Sequence, residues 1–368
     1  MGYRVECSKC GREAQSPLDF KCQCGSPLEV GLGFDFERGA IRERDRGLWR
    51  YSSFFPYVSE GEIVSLGEGW TPLVELSSGL FLKLDYLNPT GSFKDRGSAV
   101  LISALRPLLR GSGGYISEDS SGNAGASIAA YAARAGLRAK IYVPEGASGR
   151  KAEQARAYGA EVVRVPGSRE AVASEAQRPE PGKFYVGHIY HPLFRDGIRS
   201  LAYELAEQFR WSLPDSIYLP TSAGTLLLGV MRGLEHLEES GLIDGLPEVV
   251  ACQSEQVSPL YHLLKGLKYI PPKRVDSIAD ALLGTNPPLL GLMADGLKRM
   301  GGSAEIVSEG QIFDAFAELA KKGFFVEPSS AVAYAAYKRR LETGEASRGE
   351  GALIVLTGSG LKTEVRPR

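Results

Sequence analysis

Short apolar runs alternate along this chain with longer stretches of helical periodicity. Eight runs read as strands: LFLKLD (80–85), AKIYV (139–143), EVVRV (161–165), KFYVG (183–187), SIYLP (216–220), EVVACQ (248–253), AEIVS (304–308) and ALIVLT (352–357). Between them, segments such as FKDRGSAVLISALRPLL, NAGASIAAYAARAG and SSAVAYAAYKRRLE repeat apolar positions at the spacing of one helix face. Strand and helix in alternation predict an α/β fold with parallel sheets covered on both faces. Ligands of such folds sit at the carboxyl ends of strands, where glycine turns lead into helix N-termini. The strand-to-helix junctions are therefore the places to look for chemistry.

The length of 368 residues predicts two main domains and a small extra module. Lys and Arg (43) nearly cancel Asp and Glu (44), and no part of the chain is strongly basic, which argues against nucleic acid or an anionic membrane as partner. No apolar run reaches the roughly 18 residues of a membrane span. The polar start MGYRVECSKC lacks the apolar core of a signal peptide, so the expected location is the cytoplasm. There is no HExxH, GxSxG, Walker or GxGxxG motif, which weakens the commonest hydrolase, kinase and dehydrogenase readings.

Four of the five cysteines lie in the first 24 residues, as Cys7-x-x-Cys10 and Cys22-x-Cys24. A secreted disulfide protein spreads its cysteines along its loops. Four clustered thiolates instead suit one tetrahedral zinc, a structural staple for a unit too small to have a core. Reduced cysteines on a loop are the alternative.

Three junctions carry candidate chemistry. In LKLDYLNPTGSFKDRG a strand passes through a turn into a helix, with Ser92 placed as N-cap and Lys94 in the first turn. Positive charge is disfavoured there by the helix dipole, and partial burial adds to the effect. Both predict a lowered pKa, as an imine-forming or proton-abstracting lysine needs. Glu118-Asp119-Ser120-Ser121-Gly122-Asn123-Ala124-Gly125 leads from a strand into an alanine-rich helix, and its hydroxyls, amide and backbone N–H groups suit a carboxylate. Pro220-Thr221-Ser222-Ala223-Gly224-Thr225 does the same before LLLGVMRGL and suits a phosphate dianion. Taken alone, each of these is also a plain capped helix start or a solvated lysine.

The words around Lys94 narrow these options. GEGWTPL (67–73) followed by NPTGSFKDRG (88–97) closely resembles the signature of threonine synthases, which belong to the fold type II enzymes using pyridoxal 5′-phosphate (PLP). The resemblance extends through SSGNAG, Glu327-Pro328-Ser329-Ser330-Ala331 and the closing ALIVLTGSGLK, and a minority of such proteins carry a similar amino-terminal ribbon. It implies that Lys94 holds PLP as a Schiff base and that Ser120, Ser121, Gly122 and Asn123 form the loop gripping the substrate carboxylate, with Asn123 also at the PLP 3′-oxygen. It implies further that Thr221, Ser222, Ala223, Gly224 and Thr225 cup the PLP phosphate, and that Thr357 bonds the ring nitrogen and leaves it unprotonated. Ser222 and Ala223 depart from the family's usual Gly and Asn, but backbone donors do not depend on side chains.

For fold, the resemblance implies two α/β domains with PLP in the cleft: residues 31–99 with 195–368 as the large domain, 100–194 as the small one, and 1–30 as the Cys7/Cys10/Cys22/Cys24 ribbon. Relatives are commonly homodimers. For function, it implies an amino-acid lyase converting O-phospho-L-homoserine and water to L-threonine and phosphate. The substrate phosphate falls in that family to the residue after the loop asparagine, here Ala124, and to an NPxRxEGQKT-like segment. Here that segment is His191-Pro192-Leu193-Phe194-Arg195-Asp196-Gly197-Ile198-Arg199-Ser200, with Arg195 and Ser200 as the expected contacts and Arg199 or His191 as further donors. Serine/threonine dehydration and cysteine- or cysteate-forming β-replacement remain open on the same scaffold. A non-catalytic PLP-binding or ribbon-mediated interaction protein is a third possibility.

Overall fold

The computed structural model describes residues 2–146, 149–347 and 349–364. Its strands, in chain order, are β1 Tyr3–Cys7, β2 Leu28–Leu32, β3 Leu73–Ser77, β4 Leu80–Lys83, β5 Tyr115–Glu118, β6 Arg138–Pro144, β7 Glu161–Val165, β8 Lys183–Tyr185, β9 Ser216–Pro220, β10 Glu248–Ser254, β11 Ser303–Val307 and β12 Ala352–Val355. The α-helices are α1 Lys94–Leu109, α2 Asn123–Ala135, α3 Arg150–Ala157, α4 Arg169–Gln177, α5 Pro192–Ile198, α6 Ser200–Gln208, α7 Thr225–Glu239, α8 Pro259–Leu264, α9 Leu290–Met300, α10 Glu309–Lys321 and α11 Pro328–Thr343. All eight predicted strands are present. The ribbon strands β1 and β2 and the edge strand β3 escape a search for apolar runs, because each alternates with exposed polar residues. No helix among the described residues is long and apolar enough to cross a membrane.

The chain separates into two compact units, Met1–Trp70 with Asn88–Ser200, and Thr71–Leu87 with Leu201–Arg368. This grouping differs from the boundaries expected from sequence. Residues 31–70, 88–99 and 195–200 group with the first unit rather than with the carboxy-terminal part, for identifiable reasons. Helix α1 lies against α2 and α5. Ahead of it, the Val64 N–H donates to Ser103 Oγ and Glu62 pairs with Arg106 and Arg110.

In the first unit, β1 and β2 form an antiparallel ribbon, and the order β7-β6-β5-β8 makes a parallel sheet. The carboxyl ends of these four strands share one edge, which carries the 118–123 loop, the start of α4 and the segment after β8. Helices α1 and α5 cross at a glycine pair: a Cβ on Gly97 would meet the Phe194 ring at 2.7 Å, and one on Gly197 would lie 2.5 Å from the Arg96 carbonyl oxygen. Only glycine permits this approach, which presses Phe194 onto the first turn of α1.

In the second unit the sheet order is β11-β10-β9-β12-β4-β3, parallel except for the antiparallel edge strand β3. Successive residues of β9, β10 and β12 are buried whichever way they point, for example Ile217, Tyr218 and Leu219, so both sheet faces are covered. One face packs on α10 and α11 in a cluster running from Leu82 and Ile354 to Ala331, Ala335 and Leu319. Lys83 is fully buried in this unit, paired with Glu204 and donating to Gln208 Oε1 at 2.8 Å. Glu204 also accepts from the Thr71 N–H, so the pair is hydrogen-bonded as a buried charge requires.

Candidate functional site

Lys94 is the first residue of α1, as expected, but Ser92 is not its cap. Phe93 takes the N-cap position with helical backbone angles and no side-chain hydrogen bond, while Ser92 Oγ is buried without a hydrogen-bond partner among the described residues. The turn is held instead by Asp95, which accepts from the Thr90 N–H at 2.7 Å, from Thr90 Oγ1 at 2.5 Å and from Ser127 Oγ at 2.6 Å. A carboxylate in the first turn is favoured by the positive helix end.

The Lys94 side chain is half-buried, with Nζ 4.5 Å from the centre of the Phe93 ring and 5.9 Å from that of Phe194. Burial pushes its pKa down from the ordinary lysine value to about 7, the Glu118 carboxyl opposing this and the Arg169 guanidinium adding to it. Glu118 ends β5 and Asp119 follows it. Glu118 is fully buried and accepts from the His188 N–H at 2.9 Å, and its other oxygen lies 2.6 Å from His188 Nδ1. Burial raises the Glu118 carboxyl to about 8. Burial, with the Lys94 charge adding to it, holds His188 well below the usual imidazole range. Asp119 accepts from Tyr185 Oη at 2.6 Å. None of Glu118, His188, Asp119 or Phe194 was singled out from the sequence, although Glu118 and Asp119 begin the quoted loop and Phe194 stands in the quoted segment. Nothing in their spacing signals that β5, β8 and α5 deliver them to one place.

After β5 the loop turns into α2 with Gly122 as N-cap and no side-chain cap, Ser120 Oγ accepting the Gly122 N–H at 3.2 Å. Ser121, Gly122 and Asn123 are half-buried, and Ala124 is completely buried. The structure therefore brings Lys94, Glu118 and Ser120–Asn123 to one sheet edge of the first unit.

The segment His191–Ser200 behaves otherwise. Arg195 is buried, and its guanidinium donates to the carbonyls of Ile189 at 2.8 Å, Tyr190 at 3.1 Å and Leu28 in β2. Ser200 Oγ donates to the Gly197 carbonyl at 2.7 Å, and His191 Nδ1 caps α5 by accepting the Leu193 N–H. Arg199 donates to the Phe54 carbonyl and Asp196. The expectation that Arg195 and Ser200 offer donors to a substrate phosphate meets side chains already bound to backbone carbonyls. The residue of this segment that faces Lys94 is Phe194. A one-residue offset on a helix turns a side chain by about 100°, which sequence spacing alone does not resolve.

In the second unit, β9 ends at Pro220 and the loop reaches α7 through Gly224, which takes a left-handed conformation (φ 94°) as an N-cap without a side-chain cap. A Cβ there would strike Met293 Sδ at 2.5 Å, so Gly224 is required on two counts. Ser222 and Ala223 are half-buried, Thr221 and Thr225 buried. Thr221 Oγ1 donates to the Leu219 carbonyl, and Ser222 Oγ accepts the Gly284 N–H at 3.4 Å. An uncapped helix start with polar neighbours suits a phosphate. After β12, Thr357 Oγ1 lies 2.9 Å from Ser330 Oγ, which also accepts the N–H groups of Thr357 and Gly358 at 3.1 and 2.9 Å. The Glu327–Ala331 element thus locks the chain end that presents Thr357.

In the ribbon, Cys7 and Cys24 sulfurs are 3.5 Å apart, Cys10 and Cys22 3.7 Å, and Cys10 and Cys24 3.8 Å, with all four within 4.8 Å of one another. A zinc ion with Zn–S bonds of ~2.3 Å has sulfur–sulfur edges of ~3.8 Å. The described cysteines form no disulfide.

Two parallel α/β sheets, with Lys94 opening a helix in the first unit and an uncapped glycine turn opening one in the second, are the architecture of a PLP-dependent enzyme of the fold type II class. The family model of pyridoxal-phosphate dependent enzymes matches residues 64–358, and the chain belongs to this family. It is 33% identical over 97% of its length to the threonine synthase of Methanocaldococcus jannaschii, covering 92% of that protein. It is 29% identical over 98% of its length to that of Methanosarcina acetivorans, again covering 92%. Among solved structures, maize serine racemase matches with a TM-score of 0.69 and 23% identity over 90% of this chain and 95% of that one. Tomato threonine deaminase matches with a TM-score of 0.68 and 19% identity over 85% and 86%. These structural likenesses share the fold.

Arg195 ties α5 to the ribbon through buried carbonyls that would be left without partners on its removal. Arg195→Met is expected to lower stability by about 2–4 kcal/mol in a urea titration; a variant as stable as the parent would remove the arginine from this role.

Proposed function

We propose that this PLP-dependent lyase converts O-phospho-L-homoserine and water to L-threonine and phosphate. The observation that carries the reading is the likeness to two threonine synthases along nearly the whole chain. The residues present fit the cofactor: Ser92 Oγ is a buried hydroxyl in want of a partner two positions from Lys94, and α7 opens on backbone N–H groups with no side-chain cap. PLP, when bound, supplies a carbonyl carbon for the lysine and an electron sink for charge released at the substrate Cα. Lys94 holds the cofactor covalently and, as an uncharged amine, takes the Cα proton. Ser120, Ser121, Gly122 and Asn123 bind the substrate carboxylate. Thr221–Thr225 receive the PLP phosphate on backbone donors. Thr357, held by Ser330, offers a neutral hydroxyl to the ring nitrogen. Cys7, Cys10, Cys22 and Cys24 hold a structural zinc.

A second reading, dehydration of serine or threonine, is favoured by the commitment of the Arg195 and Ser200 donors to backbone carbonyls and by Ala124, which has no hydroxyl. Missing donors to a buried anion cost about 1.5–3 kcal/mol each.

Three outcomes are expected. Purified protein given O-phosphohomoserine releases phosphate in step with threonine; a 2-oxo acid from serine or threonine, with no phosphate release, would establish the second reading. Lys94→Ala loses the visible absorbance of bound PLP, and unchanged absorbance would remove Lys94 from its place. Cys22→Ser loses zinc by elemental analysis while PLP stays bound; a parent protein free of zinc at purification and unable to take it up would rule out the metal.

A further inference from the structure

Three ionisable side chains of the first unit interact electrostatically with the amine of Lys94: Glu118 from the end of β5, His188 from the segment after β8 and Arg169 from the start of α4. Asp119 follows Glu118 and interacts with the same carboxyl, imidazole and guanidinium. Tyr185 and Tyr190 add phenols close to Asp119, and Asp95 and Arg96 lie on the lysine's own helix. Asp95 is occupied by Thr90 and Ser127, and Asp119 by Tyr185. Glu118 differs from these, since both its oxygens are engaged by a single residue, His188. The Phe194 ring joins this pair to the lysine, with its centre 5.8 Å from that of the His188 ring and 5.9 Å from Lys94 Nζ.

We propose that Glu118 and His188 form a positioning pair for Lys94, in which Glu118 keeps its proton and donates it to His188 Nδ1, leaving the amine beside an uncharged carboxyl. The inference rests on the reading of Lys94 as the reactive lysine. Three features point to it. The carboxyl is fully buried, which favours its neutral form. Its two contacts accommodate a protonated acid, one oxygen accepting the backbone N–H and the other placed to give its hydrogen to Nδ1, 2.6 Å away, when His188 carries its own hydrogen on Nε2. Its chain neighbour Asp119 is a second carboxyl in the same place, and adjacent carboxyls disfavour double ionisation.

The consequence for the lysine has a definite sign. An ionised carboxylate beside Lys94 would raise its pKa and keep it as an ammonium ion, unable to attack a carbonyl or accept a Cα proton. With Lys94 near 7 and Glu118 near 8, a window exists in which both are uncharged. Below it the amine gains a proton; above it the carboxyl loses one. His188 acts through Glu118 and Glu118 through Lys94, so neither is called catalytic.

The test reads Lys94 directly. The full-length chain, freed of PLP with hydroxylamine, is carbamylated with cyanate across a pH series, and the Lys94 peptide is quantified by mass spectrometry. The parent protein is expected to show a midpoint near 7. Glu118→Gln, which mimics the neutral acid, leaves that midpoint within about half a pH unit, whereas a charged carboxylate in the parent would make the same change lower it by about one unit or more. His188→Phe keeps the ring's size and removes the acceptor of the acid proton, so Glu118 ionises earlier and the Lys94 midpoint rises by about half a unit or more. The double variant returns it to the parent value, which a purely structural role of His188 would not do. A downward shift in Glu118→Gln, or no shift in His188→Phe, overturns the proposal, and His188→Phe alone decides it if the Glu118 variant does not fold. The labelling needs neither substrate nor cofactor. A protein that labels as expected but turns over neither O-phosphohomoserine nor serine fails the proposed function and retains the pair.

Discussion

A primary amine at the positive end of a helix, walled by two phenylalanine rings, cannot hold its charge at ordinary cost. That constraint on Lys94 organises the first unit. The loss of water disfavours the ammonium form, the Arg169 guanidinium adds to this and the Glu118 carboxyl opposes it. Asp95 holds the turn from which the side chain departs, and the glycine crossing of α1 with α5 brings Phe194 to its flank. Glu118, fully buried beside His188, has its acidity suppressed by the same loss of water that suppresses the lysine's basicity. The two shifts belong together, since they leave an amine and an acid that are both uncharged near neutrality.

The second unit works by a different physical means. Its contributions are backbone positions: a left-handed glycine opening α7, and a strand end pinned by the Ser330 hydroxyl. Backbone N–H groups do not depend on side-chain identity, so Ser222 and Ala223 leave the donors at the start of α7 in place. Ser330 makes the same point from the other side. One hydroxyl satisfies two N–H groups, so a residue with no place in the chemistry holds Thr357 where it stands.

The helix after β8 shows how position within a turn decides function. Arg195 resembles a phosphate ligand in sequence, yet its guanidinium stitches α5 to the ribbon strand β2 and to two carbonyls of its own segment. The residue before it, an aromatic ring, occupies the flank of Lys94. This exchange weighs on the choice between a phosphorylated substrate and a hydroxy amino acid, and it gives the ribbon a fixed attachment whatever its metal does.

The α/β class, the eight strands, the helix start at Lys94 and the clustering of the four cysteines were legible in the sequence, because each depends on local rules: apolar periodicity, turn chemistry and close spacing of like ligands. The family was legible for the same reason, its signature being two contiguous stretches before and around Lys94. What the sequence could not disclose was any arrangement set by packing between distant elements. The assignment of residues 31–70 and 88–99 to the first unit came from α1 lying against α2 and α5. The failure of Ser92 to cap its helix, the commitment of Arg195 to the carbonyls of β2 and its own segment, and the meeting of Glu118 with His188 seventy residues later along the chain were likewise decided in the tertiary structure. Local propensity specifies which residues begin a strand or a helix; only the burial that follows packing determines which of their charges survive.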